Sequence, residues 1–135
     1  MGYRIEEIEG VGPAHARKLG KVDIRSTTQL LERCCDRKGR KSISAATGLS
    51  EKQLLRWANM ADLMRIRGIG QEFSELLEAA GVDTVKELRK RRPDNLTAKM
   101  VEVNGKRRLT RRAPAQSMVE NWVAQAKELA PLITH

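Results

Sequence analysis

Apolar residues recur every three or four positions along most of this chain, the spacing that buries one face of a helix. In the segment STTQLLERCC, for example, Leu30, Leu31 and Cys34 share one predicted face. The strict alternation of a half-buried strand is nearly absent. The pattern therefore predicts an all-α protein of about eight to ten short helices.

Residues that start and stop helices punctuate this pattern. Ser26 or Thr27 is expected to cap the N-terminus of one helix. Two segments have capping-box spacing, one at Ser50 with Gln53 and one at Ser117 with Glu120. The expected helix ends are Gly48, Gly81 and the pair Asn104–Gly105.

Two stretches share one outline, IEGVGPAHARKL at 8–19 and IRGIGQEFSELL at 66–77. Each half then ends on a helix with one tryptophan, Trp57 or Trp122, which is expected to fill the core. An internal duplication accounts for this and predicts two similar units, residues 1–63 and 64–135, packed face to face. Further positions match at the same offset: Leu19 with Leu77, Ile24 with Val82, Ser26 with Thr84, and Leu30 with Leu88.

The repeated element is a Gly-apolar-Gly turn followed by a helix. We call Gly10, Val11 and Gly12 the first glycine turn, and Gly68, Ile69 and Gly70 the second glycine turn. Glycines permit positive φ and let another group approach the backbone closely. The helix that follows begins with unpaired N–H groups at the positive end of its dipole, an arrangement that favours an anion.

At these residues the sequence resembles the helix-hairpin-helix family of DNA-binding modules. That family's signature is an apolar-Gly-apolar-Gly turn between two short helices, commonly continued as Pro-Lys-Thr-Ala. The stretch GVGPAHARKL matches it well, whereas GIGQEFSELL keeps the glycines and then diverges. The resemblance implies two helix-hairpin-helix repeats packed as one compact helical domain of SAM-like, two-hairpin architecture. The whole chain is also similar to an uncharacterised bacterial family of tandem helix-hairpin-helix proteins, a likeness that implies a fold and no activity.

The resemblance also implies where phosphate binds. Backbone N–H groups at Gly10, Gly12 and Ala14, around the inward-pointing Val11, are expected to contact phosphate oxygens. Arg17 and Lys18 follow within one or two helical turns, although Ala14 replaces the family's usual Lys.

The second turn has Glu72 where the family has Lys. A carboxylate ~5 Å from a phosphate costs on the order of 1 kcal/mol or less in screened solvent, which is comparable to what a helix terminus contributes. We therefore expect the second turn to be chiefly structural.

The charge balance favours a polyanionic partner. Lys and Arg number 26 against 17 Asp and Glu, a formal net charge of +9. Together with the first glycine turn, two basic clusters are expected to contact the phosphates of double-stranded DNA without sequence preference. Their members are Arg37, Lys38, Arg40 and Lys41 in the first cluster, and Arg107, Arg108, Arg111 and Arg112 in the second.

An alternative function stays open at this point. Both turns could serve only to pack helices in a protein–protein interaction or scaffold module. An acidic stripe at helical spacing, Glu72, Glu75 and Glu78, is either a solvated face or a docking surface for basic segments of a second chain, such as another copy of this protein.

Little in the sequence favours catalysis or cofactor binding. The acidic residues are scattered or lie along helix faces, and His15 and His135 are too far apart to indicate an acid–base pair. We expect a non-enzymatic protein without metal or cofactor. Aromatic residues make up only 3% of the chain, too few for a platform that stacks single-stranded bases.

The expected compartment is the cytoplasm. The first residues lack the apolar run of a signal peptide, and no segment approaches the roughly 20 apolar residues that cross a bilayer. Cys34 and Cys35 are adjacent, which suits neither a structural disulfide nor a zinc site. We interpret them as reduced residues that pack within a helix.

Overall fold

The prediction of an all-α fold is confirmed by the computed structural model, which describes residues 2–135. Within these residues no strand is present, and the only extended pairing is an isolated bridge between Arg4 and Ser26. A 3₁₀ turn at Ile5–Glu7 precedes eight α-helices. They are α1 (Pro13–Gly20), α2 (Thr27–Cys34), α3 (Arg37–Thr47), α4 (Glu51–Leu63), α5 (Gln71–Ala79), α6 (Val85–Leu88), α7 (Pro93–Arg107) and α8 (Gln116–Glu128).

Two of the three expected N-terminal caps are confirmed. Ser26 and Ser50 each accept a hydrogen bond from the amide three residues later and form capping boxes. The box expected at Ser117 is wrong, because α8 already begins at Gln116 and Ser117 lies exposed in its first turn. The backbone is extended at Ala115, so the helix starts there with no side-chain cap.

The end predicted for α7 at Asn104–Gly105 is also wrong. The side chain of Asn104 is already engaged across the following loop: its Oδ1 accepts from the Thr110 amide at 2.9 Å and its Nδ2 donates to the Thr110 carbonyl at 3.1 Å. The helix continues to Arg107, and Arg108 closes it in the left-handed conformation by donating its N–H to the Asn104 carbonyl.

The core consists of two hydrophobic clusters, each holding one of the tryptophans. The first cluster draws on residues 5–64 around Trp57, and the second on residues 63–126 around Trp122. Both indole side chains are only 2% exposed, as expected of core residues. The clusters meet at the end of α4, near the boundary predicted from the repeat; Met1, which the first predicted unit includes, lies outside the described residues.

The two units build their turns with the same hydrogen bonds. The Val11 amide donates to Ile8 and the Ile69 amide to Ile66, both at 3.1 Å. The helix after each turn also starts in the same way. The Ala16 amide in α1 donates to the Gly12 carbonyl at 2.9 Å, and the Ser74 amide in α5 donates to the Gly70 carbonyl at the same distance. Every apolar pair matched in the sequence is fully buried: Leu19 with Leu77, Ile24 with Val82, and Leu30 with Leu88.

The C-terminal segment after α8 returns to the first cluster. Ile133 packs against that cluster, and the Thr134 amide donates to the Cys35 carbonyl at 2.8 Å. Arg40, at 3% exposure, completes the contact by donating to the carbonyls of Cys34 at 3.0 Å and Thr134 at 2.6 Å. Arg40 was expected to contact DNA; that assignment is corrected, because its guanidinium is buried at the end of α2 and occupied by carbonyl groups.

Replacing Arg40 should therefore weaken the fold. In Arg40→Met the carbonyls of Cys34 and Thr134 lose their donor, and we expect the free energy of unfolding to fall by about 2 kcal/mol or more. Urea denaturation followed by circular dichroism measures this. The neighbouring exposed Lys41→Met is the matched control and should change stability by less than about 0.5 kcal/mol. Equal stability of the two variants would contradict the structural role.

Candidate functional site

The first glycine turn needs glycine at Gly10 for conformational reasons. Its φ of 92° lies in the left-handed region, where a side chain is strained. A Cβ at this position would also lie 3.4 Å from Nε1 of Trp57. Val11, next in the chain, is buried in the first cluster and anchors the turn.

Gly12 has no such requirement. Its φ of −84° and ψ of −179° are extended, a conformation open to any residue. A Cβ built there would meet nothing within 4 Å. Neither backbone strain nor packing inside the described chain accounts for a glycine, and the space in front of Gly12 is open.

The amides behind this opening lack partners. In the described chain the N–H groups of Gly12, Ala14 and His15 donate to no protein group, while Pro13 has no N–H. Helix α1 also has no side-chain cap. Pro13 and Ala14, the first two residues of α1, are exposed to solvent.

Charges and rings around the turn have distinct places. Arg17 and Lys18 are exposed on α1, one to two helical turns beyond the opening. His15 instead supports the turn: its Nδ1 lies 3.2 Å from the Gly10 carbonyl, and its ring centroid lies 5.1 Å from that of Trp57. Glu9 is half-buried and accepts from Nε2 of Gln71 at 3.3 Å, a contact that brings the two turns together.

The second glycine turn repeats this backbone with different side chains. Gly68 has a φ of 99° and its Cβ position lies 3.0 Å from Nε1 of Trp122. Gly70 is extended and open, as Gly12 is. Phe73 takes the place of His15, with its ring centroid 5.1 Å from that of Trp122. Glu72 is exposed in the first turn of α5 and places a negative charge at the opening.

The basic residues expected to contact DNA lie on different elements of the structure. Arg107, Arg108, Arg111 and Arg112 are all exposed, but Arg108 and Arg111 line an open cleft with Glu72, beside the second turn and not the first. Arg37, Lys38 and Lys41 are exposed on α3. Within residues 2–135 no hydrogen bond or ion pair links these three to either turn. Only Arg17 and Lys18 are on the helix that the first turn opens.

The acidic stripe is not a uniform free surface. Glu78 forms a bidentate pair with Arg56 across the two units, with Nε–Oε2 and Nη2–Oε1 distances of 3.0 Å each. Burial, followed by the Glu9 carboxylate, raises the pKa of Glu75. Glu78 is therefore engaged within the chain, and only Glu72 of the three is fully exposed.

Cys34 has no reactive environment. Cys34 is fully buried in the first cluster, and burial raises the pKa of its thiol to about 11. Such a thiol stays protonated at neutral pH and behaves as a small apolar side chain.

Within the described residues no group of three or more His, Cys, Asp or Glu side chains is placed to hold a metal ion. No helix there is long and apolar enough to cross a bilayer.

Residues 9–129 match the family described as Domain of unknown function (DUF4332). The chain belongs to this DUF4332 family. No match was found among curated proteins or among solved structures. The match runs from the residue before the first glycine turn to Leu129, the residue after α8, so both turns lie inside the DUF4332 domain.

Sequence reasoning missed Arg56 in this DUF4332 chain. Its guanidinium lies at the first turn, with Nη1 3.4 Å from the Cβ position of Gly10. The aligned halves carried a signal, since Arg56 precedes Trp57 where Asn121 precedes Trp122. That difference gains meaning only once each tryptophan is known to face its glycine turn.

The raised pKa of Glu75 gives a pH-dependent prediction. The fold disfavours the ionised side chain of Glu75, so its negative charge lowers the free energy of unfolding above the raised pKa. This loss of stability disappears below the ordinary pKa of 4.5, because the side chain is then protonated in both the folded and the unfolded chain. Glu75→Gln should raise the melting temperature at pH 7 by on the order of 1–2 °C. The gain should vanish near pH ~4. Differential scanning calorimetry at both pH values, with exposed Glu32→Gln as control, measures this; a lower melting temperature at pH 7 would contradict it.

Proposed function

We propose that this chain binds nucleic acid, and specifically double-stranded DNA, without catalysing a reaction and without sequence preference. The observation that carries the proposal is the opening at Gly12. An unstrained glycine with nothing in front of it stands at the start of a helix whose first amides are unpaired. A phosphate is the group that such a helix start accommodates best, because its oxygens accept from backbone N–H groups and its charge suits the helix dipole.

The amides of Gly12, Ala14 and His15 are held in place before a ligand arrives. Val11 is buried on one side of the turn, and Gly10 packs against Trp57 on the other. A preorganised site loses little conformational entropy on binding. Contacts made by amides to phosphate carry no sequence information, which is why the proposal excludes base readout.

The proposal includes the assignment of the turns to the helix-hairpin-helix class. Support comes from an apolar-Gly-apolar-Gly turn that opens a helix in each unit, with Val11 or Ile69 buried between the glycines. Two features depart from that class. A single 3₁₀ turn, Ile5–Glu7, precedes the first glycine turn, and Ala14 leaves that turn without the usual Lys.

Basic side chains near the first glycine turn would add to the affinity for phosphate. Arg17 and Lys18 are exposed on α1 and are the nearest basic residues in sequence to the opening. Arg108 and Arg111 lie beside the second turn and would reach a different phosphate along the same duplex. Glu72, which lines the same cleft as Arg108 and Arg111, reduces the attraction of the second turn for an anion, so the first turn is the principal contact.

A carboxylate introduced at the opening should separate binding from folding. In Gly12→Asp the extended backbone suits an N-cap, so stability should be retained or rise by a few tenths of a kcal/mol. The new carboxylate would cap the amides that a phosphate needs, and affinity should fall about tenfold or more, a loss of at least ~1.4 kcal/mol. Fluorescence anisotropy with a labelled random-sequence duplex measures this.

Gly70→Asp is the matched control for that variant, because Gly70 is equally extended and open. We expect it to weaken binding much less, since Glu72 already makes the second turn unfavourable. Equal losses in the two variants would contradict the primacy of the first turn. Wild-type affinity no better than that of an unrelated protein of equal charge would contradict the function itself.

The salt dependence of binding should count the phosphate contacts. Each contact releases condensed counterions, so ~4–6 contacts give a slope of log affinity against log salt of about −4 to −5. Arg17→Ala and Lys18→Ala should each reduce the magnitude of that slope by about 1. Lys127→Ala, an exposed lysine outside the turns and basic clusters, serves as control. Slopes unchanged by the α1 variants would exclude these residues from the interface.

A further inference from the structure

Trp57 presents an unpaired hydrogen-bond donor at the first glycine turn. Its side chain is 98% buried in the core, since 2% is exposed, yet its indole N–H donates to no group in the described chain. The indole nitrogen is also not fully enclosed by protein. Among the described residues, the only fully enclosed side-chain N or O atom without a hydrogen-bond partner is Oδ1 of Asn59. The N–H of Trp57 therefore reaches the surface beside Gly10 without an acceptor. The indole N–H of a buried tryptophan normally has one.

Arg56 places a second donor at the same point. Its Nε and Nη2 are held by the Glu78 carboxylate, and Nη1 has no acceptor among the described residues. Nη1 of Arg56 and Nε1 of Trp57 both lie 3.4 Å from the position that a Cβ of Gly10 would occupy. Two fixed donors thus flank one side of the first glycine turn, where glycine leaves room.

We infer that Arg56 and Trp57 donate hydrogen bonds to an oxygen of the backbone phosphate bound at the first turn. This inference rests on the proposed function and adds two side-chain donors to its backbone amides. A guanidinium held in one plane makes strong, charge-assisted bonds to phosphate oxygens. Glu78 acts as a positioning residue, because its bidentate contact fixes the guanidinium with Nη1 toward Gly10.

The surrounding carboxylates weaken the attraction of this site for a phosphate. The hydrogen bond with Glu78, and then the charges of Glu9 and Glu75, raise the pKa of Arg56. These same carboxylates oppose an anion. The attraction must therefore come from short hydrogen bonds, from the start of α1 and from Arg17 and Lys18, and it should increase when a carboxylate that holds no donor is removed.

The second turn provides an internal comparison. Nε1 of Trp122 lies 3.0 Å from the Cβ position of Gly68, and its N–H also has no acceptor within residues 2–135. The residue before it is Asn121, whose Oδ1 accepts from Nε2 of Gln125 at 2.7 Å. The second turn thus keeps the indole donor, but no guanidinium is among the atoms nearest to the Cβ position of Gly68, and Glu72 lies at the opening of this turn.

The indole N–H groups report on this directly. In a ¹H–¹⁵N correlation spectrum of the full chain, Trp57 and Trp122 are the two tryptophans and give two indole signals, assigned with Trp122→Phe. Titration with random-sequence duplex should move the Trp57 signal downfield in a saturable way, with a much smaller change at Trp122. Inorganic phosphate at equal phosphate concentration should move it far less. An unshifted Trp57 signal in a chain that binds duplex would overturn the inference while leaving the proposed function intact.

Affinity measurements on variants separate donation from charge. Trp57→Phe should weaken duplex binding at least threefold, and Arg56→Met at least fivefold, while Trp122→Phe, which removes the same ring system from the other unit, should change it less than twofold. If Trp57→Phe does not fold, Arg56→Met and the wild-type spectrum decide. Binding by both Trp57→Phe and Arg56→Met with wild-type affinity would overturn the inference; failure of the wild-type chain to bind duplex would overturn the proposed function with it.

The positioning role of Glu78 has its own readout. Glu75→Gln and Glu78→Gln each remove one carboxylate near Arg56, but only Glu78 holds the guanidinium. Glu75→Gln should tighten duplex binding by simple loss of repulsion, whereas Glu78→Gln should show no gain because the guanidinium is released. Equal tightening in both variants would mean that Glu78 contributes only charge.

Discussion

The contact of a tryptophan indole with a left-handed glycine is what the rest of this structure depends on. Trp57 of α4 packs against Gly10, and Trp122 of α8 packs against Gly68. Each contact ties the last long helix of a unit to its opening turn, so the hydrophobic cluster closes around the ring. Because the left-handed glycine sits on the indole, the second glycine of the turn faces outward, and the start of the next helix is left uncovered.

The two units share this frame and differ in what surrounds it. The first turn has His15 on the tryptophan ring and Arg56 beside it; the second has Phe73 and an exposed Glu72. Such differences change charge and hydrogen bonding without altering the backbone. A duplicated turn can therefore keep its packing role in both copies while its surroundings differ in charge, and we propose an anion site at the first copy alone. The ion pair between Arg56 and Glu78 links these roles, because it joins the units and orients a donor.

Much of the fold followed from local rules, and much of the site did not. Helix order, the Ser26 and Ser50 caps and tryptophan burial depend on residues close in sequence, so they could be predicted. The burial of Arg40 could not, since it depends on the return of Thr134 from the far end of the chain. The end of α7 depended on a side-chain bond across a loop to Thr110. The residues of the first glycine turn were identified from their spacing, whereas the placement of basic residues around it required the fold.

The central claim is that uncapped amides at the start of α1 hold a backbone phosphate. The most direct measurement is the change in backbone ¹H–¹⁵N signals of Gly12, Ala14 and His15 during titration with a random-sequence duplex. The account predicts saturable downfield shifts at these three amides, larger than those of Gln71 and Glu72 at the start of α5. Shifts confined to the second basic cluster, at Arg107, Arg108, Arg111 and Arg112, with the amides at the start of α1 unshifted, would contradict it.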